Sequence, residues 1–90
     1  MAQYTINLAE IPDAAALHET LSKKLRFPRH YGKNLDALFD TLTSSAAKRE
    51  LVFCGGAEFW KREPEFFPRF VQVLLNAEME VENLSVTLQP

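Results

Sequence analysis

Ninety residues with 47% hydrophobic and 24% charged content and only three glycines point to one globular domain, residues 1–90, and exclude a low-complexity or loop-dominated chain. A formal charge of -2, with ten Lys and Arg scattered along the sequence, disfavours nucleic acid as the main ligand and predicts no direct nucleic-acid contact, because neutralising phosphates requires clustered cations. The single cysteine, Cys54, excludes an internal disulfide and any multi-cysteine metal site.

The opening MAQYTINLAEIPDA lacks the basic start and apolar stretch of a signal peptide, and no segment approaches the roughly 20 apolar residues of a membrane span. A cytoplasmic location without membrane contact is the expectation. QYTINL alternates Tyr4, Ile6 and Leu8 with polar neighbours, which predicts a first strand ending before Pro12. Asp13 then stands as a helix N-cap. Leu17, Leu21 and Leu25 recur every four residues behind it, and Lys23, Lys24 and Arg26 gather near the C-terminal end, where the helix dipole favours cations.

FPRHYG breaks this helix: Pro28 cannot continue it, and Gly32 permits a positive φ, so residues 29–33 form a short loop. Asn34 is the cap of a second helix over residues 35–43. SSAAKR reads as a linker, and ELVFC as a buried strand bounded by Gly55-Gly56. AEFWKRE adds a short helical turn. Pro64 and Pro68 flank the start of a longer helix in which Phe70, Val73, Leu74, Ala77 and Val81 keep the helical period, and LSVTL alternates as the last strand. Strands separated by helices predict a parallel sheet in a small α/β fold.

The chemistry-bearing residues are sparse. Leu35, Leu38, Phe39 and Leu42 form one apolar stripe, which leaves Asp36 and Asp40 together on another face of the second helix, a mildly destabilising like-charge pair. An acid–base pair would need environments that push the two proton affinities apart, and a polar helix face does not supply them. Two carboxylates are also only part of a hard cation's shell, so neither catalysis nor a metal is expected, and no cofactor is implied. The plain alternative is a first-turn dipole partner and a solvated charge. His18 and His30 are isolated, no serine or cysteine sits in a nucleophile motif, and Cys54 reads as a small buried hydrophobe. Trp60, Phe59, Phe66 and Phe67 read as packing, and Glu78, Glu80 and Glu82 as solvated acids or partner contacts.

HYGKNLDALFDTLT closely resembles the Y-x-G-x-N-L-D-A-L-(aromatic)-D-x-L-T core of the barstar-like family, bacterial cytoplasmic inhibitors of secreted ribonucleases. LHETLSKKLRFP is similar to that family's first helix and its exit, and FVQVLLNAEMEVENLSVTL to its last helix and strand. The resemblance implies a three-stranded parallel sheet packed on helices. It implies no enzymatic activity, but a one-to-one complex between an otherwise monomeric protein and a basic extracellular-type ribonuclease, in a toxin-immunity role. The loop and helix of residues 29–43 would plug the enzyme's active site, with Asp40 in the place of a substrate phosphate.

Carried over residue by residue, the implied contact set is Arg29, His30, Tyr31, Gly32, Asn34, Leu35, Asp36, Ala37, Phe39, Asp40 and Thr43, with Asn76 and Glu80 from the last helix. Asp36 would add a second negative contact, and His30 and Tyr31 flat contact area. The rim departs from the family pattern: His30, Lys33 and Ser45 stand where an aromatic, an acid and a tryptophan are usual, and Asn76 replaces an acid. The alternative is therefore a non-inhibitory binding or regulatory module on the same fold.

Overall fold

A computed structural model describes residues 2–90. Strand β1 (Ala2–Asn7) leads through a 3-10 turn (Leu8–Glu10) into helices α1 (Ala14–Leu25) and α2 (Leu35–Ser44). Strand β2 (Arg49–Cys54), helices α3 (Gly56–Arg62) and α4 (Phe66–Glu80) and strand β3 (Leu84–Leu88) complete the order. The three strands pair in parallel as β1-β2-β3, so the expected barstar-like α/β architecture of a parallel sheet with helices is present.

Register explains which face the helices cover. Ala2, Arg49 and Leu84 stand abreast, as do Tyr4, Leu51 and Val86, then Ile6, Phe53 and Leu88. The period of two puts these rows on one side of the sheet, and Ile6, Leu51, Phe53 and Leu84 there are buried. On the other side Gln3 donates to Glu50 at 2.7 Å, and Thr5 and Thr87 are exposed. Parallel sheets are usually covered on both faces; here one face stays polar.

The helical stripes meet the buried face. Leu17 and Leu21 of α1, Leu38 and Leu42 of α2, and Phe70, Leu74 and Ala77 of α4 are all buried, as the periodicity required. Phe70 sets its edge on Phe53 with ring centres 5.4 Å apart and stacks on Phe66 at 5.8 Å. Each such side chain contributes about 1.5–3 kcal/mol through apolar burial. The caps also hold: Asp13 accepts from the Ala16 N–H and Asn34 from the Ala37 N–H, both at 2.8 Å.

Several local expectations change. Arg49 belongs to β2 rather than to a linker, because its backbone N–H already pairs with Asn83. Leu8 leaves the strand for the 3-10 turn, where the Asn7 side chain accepts from the Ala9 N–H. Val81 ends α4 as its C-cap instead of continuing it. Trp60 is 52% exposed and rests on Phe67 alone among the aromatic rings, so it is a surface residue. Cys54 is only half-buried, being on the polar side of the sheet. Glu78 is not a free acid: its carboxylate accepts from the Val86 N–H of edge strand β3 at 2.7 Å. Among the described residues no helix is long and apolar enough to cross a membrane, and no group of three metal-ligating side chains occurs.

Candidate functional site

The connection from α1 to α2 is held from beneath by α1. Arg26 closes α1 in the left-handed region (φ 55°), and the Tyr31 N–H returns to the Pro28 carbonyl at 3.0 Å, making a tight turn through Arg29 and His30. Both of those side chains are exposed. Tyr31 is not. Only 8% exposed, its ring packs on Phe27, and its hydroxyl lies 2.6 Å from His18 Nδ1. It therefore anchors the loop and offers no flat contact area, because a hydrogen-bonded phenol between α1 and the loop contributes more buried than exposed. Burial pushes the Tyr31 hydroxyl up to about 12 and, together with nearby Lys33, holds His18 below its usual value.

The positive φ falls at Lys33 (52°), one residue after the glycine expected to carry it. Gly32 serves another need. A Cβ there would come within 3.2 Å of Asn34 Nδ2 and 3.4 Å of the Ala37 Cβ, so the missing side chain lets the Asn34 amide fold back toward the Gly32 carbonyl. The Lys33 ammonium is held by the Glu19 carboxylate of α1, which lowers the proton affinity of Glu19 through that bond. Consecutive α1 residues, His18 and Glu19, thus grip Tyr31 and Lys33 of the loop.

Asn34 then launches α2 with Leu35 turned inward and Asp36 in the first turn, where the helix dipole favours a carboxylate. Asp36 and Asp40 are exposed one turn apart, and neither pairs with a cation among the described residues. Asp40 stands between two surface depressions. One, of about 530 Å³, lies between α2 and α4 and is lined by Leu35, Asp36, Phe39, Asp40, Val73 and Asn76. The other, of about 430 Å³, is lined by Pro28, His30, Asp40, Thr41, Thr43 and Ser44.

Most of the residues expected at the site therefore share one face. Ala37 is half-buried beside it, and the Thr43 hydroxyl is occupied by the Phe39 carbonyl at 2.8 Å. Asn76 is held through its Oδ1 by Gln72 at 2.9 Å, and Glu80 is exposed one turn further along α4, outside both depressions. Glu19, Gln72 and Val73 were not foreseen. A charge complementary to Lys33 fourteen residues away leaves no local sequence signal, whereas Gln72 and Asn76 at i, i+4 on one helix could have been paired.

Compared with known proteins, residues 1–89 match the profile of the family described as "Barstar (barnase inhibitor)". The chain belongs to the barstar family. A relative from Bacillus subtilis (strain 168), named "Putative ribonuclease inhibitor YrdF", is 44% identical over 43 residues, which are 48% of this chain. The match spans 47% of the length of that relative.

Proposed function

We propose that this barstar-family protein inhibits a basic, secreted-type ribonuclease by seating α2 and the loop before it in the enzyme's active site, one molecule to one. The observation that carries this reading is the pair Asp36 and Asp40, exposed on one turn of α2 without a cation partner among the described residues. Like charges at i, i+4 oppose the helix slightly, and an incoming cation relieves that repulsion. Asp40 takes the place of a substrate phosphate, since a carboxylate accepts the same forked pair of N–H bonds from arginine. Asp36, Phe39 and Asn76 border the contact, with Arg29, His30, Gly32 and Glu80 at its rim.

Occlusion requires no bond to be made or broken, so the protein acts as a binder rather than an enzyme, and a producing cell would keep it in the cytoplasm as protection. The anchoring of Tyr31 and Lys33 to α1 supports the reading physically: a loop already fixed in place gives up less entropy on binding. RNA-cleavage assays with a panel of basic microbial ribonucleases test it. Stoichiometric inhibition of at least one enzyme is expected. No binding to any of them, with a partner of another kind recovered, would favour a non-inhibitory module whose rim, neutral at Asn76 and self-paired at Lys33, suits a different surface.

A further inference from the structure

A third cavity, of about 330 Å³, opens between β1, the exit of α1 and the end of α2. It shares Pro28, Thr41 and Ser44 with the depression beside Asp40 but does not include either aspartate. Its charge is unusual for a chain with a formal charge of -2: Arg26 and Arg49 line it, and no acidic side chain does. Arg49 is only 7% exposed and has no carboxylate partner among the described residues. One of its terminal N–H groups donates to the Leu42 carbonyl at 2.6 Å, while the Nε–H has no partner among the described residues.

A buried cation without a counter-charge is costly, and a guanidinium stays charged. The Leu42 bond and the negative end of the α2 dipole offset part of that cost. A water could satisfy the free N–H, as it could Asn83 Oδ1, the other buried side-chain polar atom without a partner among the described residues. It could not supply a negative charge. The cavity lining also includes the hydroxyl-bearing Tyr4, Thr41 and Ser45 and the apolar side chains of Leu25, Phe27 and Pro28.

We propose that this cavity is a binding site for a small organic anion, with a carboxylate or phosphate group held by Arg49 and Arg26 and an apolar body against Leu25, Phe27 and Pro28. The site contains neither Asp36 nor Asp40, and its test needs no ribonuclease. An oxyanion there neutralises the buried guanidinium and accepts from the lining hydroxyls, and the apolar lining selects an organic anion over a bare one.

Titration of the 90-residue protein with benzoate, phenyl phosphate, inorganic phosphate and neutral benzamide, followed by NMR, tests this. Saturable shifts are expected at Tyr4, Phe27, Thr41 and the Arg49 Nε–H with the two organic anions. The tighter of the two identifies the natural group as carboxylate or phosphate ester. Inorganic phosphate should bind at least about tenfold more weakly and benzamide should not bind. Arg49→Met, which removes the cost of burying the guanidinium along with its bond to the Leu42 carbonyl, should abolish the shifts while keeping the fold. If that variant does not fold, the Arg49 Nε–H shift in the unmutated protein and a several-fold loss in Arg26→Gln decide. Absence of binding, equal binding of benzamide, equal binding of inorganic phosphate, or binding that survives in folded Arg49→Met would each overturn the assignment.

Discussion

The Nδ1 of His18 and the hydroxyl of Tyr31 lie 2.6 Å apart in the interior, joining the middle of α1 to the loop that precedes α2. His18 is 5% exposed, with the edge of Phe66 at a centroid distance of 5.9 Å on another side. Burial and the Lys33 charge both disfavour the imidazolium. The contact therefore belongs to the neutral histidine.

Stability should consequently fall in mild acid. An unfolded chain protonates this histidine near 6.5, whereas the folded chain does so only at lower pH. Between those two values the unfolded state holds more protons, so unfolding free energy rises with pH there and levels off above 6.5. Denaturant melts between pH 8 and 5 should show this slope, and His18→Gln, which keeps a hydrogen-bonding group without an ionisation, should flatten it. An equal slope in both proteins would assign the titration elsewhere.

Arg62 at the end of α3 supplies a second long-range clamp. Its guanidinium donates to the carbonyls of Leu8, Ala9 and Ile11 at 2.8–3.2 Å, and the neighbouring Glu63 carboxylate accepts from the Ala14 N–H at 2.7 Å. Together they hold the 3-10 turn after β1 and the first turn of α1. Arg62→Met should destabilise the protein by about 1–3 kcal/mol, the range for losing hydrogen bonds to a charged donor where water can partly replace it. Chemical denaturation measures this directly. A change below a few tenths of a kcal/mol would mean that water serves the carbonyls as well.

These clamps show where sequence reading stops. Local signals were enough to place Asp13 and Asn34 as caps, the Leu17–Leu21 and Leu38–Leu42 stripes and the strand Leu84–Leu88, because each depends on residues within one or two turns. Asp36 and Asp40 were legible as a shared face for the same reason. Burial of Tyr31 was not, since it depends on His18 and Phe27 meeting it in space. Neither was the role of Arg49, whose position beside Lys48 looks like part of a polar linker until the β-sheet register turns it inward between Ala2 and Leu84. The shift of positive φ from Gly32 to Lys33 has a similar origin: contact with Asn34 and Ala37 uses the glycine's lack of a side chain, not its freedom in φ.

Within the proposed complex, Asp40→Ala should weaken binding by at least about 2 kcal/mol, the general threshold for a hot spot. Truncation would leave the enzyme's cationic groups desolvated without a counter-charge. The free protein should fold as before, because Asp40 is exposed, without a cation partner among the described residues, and repelled by Asp36. Calorimetric titration against an inhibited ribonuclease, beside a melt of each free variant, separates the two effects. Equal dissociation constants would remove Asp40 as the anchor.

Lys33 is the rim position where net charge and local structure pull apart. Lys33→Glu makes the protein more acidic, which should accelerate association with a basic enzyme, most clearly at low salt, because long-range attraction is screened beyond about 10 Å at 0.1 M salt. The same change sets a glutamate against Glu19 and removes the ion pair that ties the loop to α1. Dissociation should therefore also quicken to a smaller degree, through a looser loop. Exchanging the charges in a Glu19→Lys, Lys33→Glu double variant restores the ion pair and the original net charge. Its association rate should return to that of the unmodified protein at every salt concentration, and its dissociation rate should recover with it. Stopped-flow mixing across a salt series resolves both rates. Association as fast in the double variant as in Lys33→Glu alone would show that the partner reads the residue at position 33 itself, and that net charge does not govern the encounter.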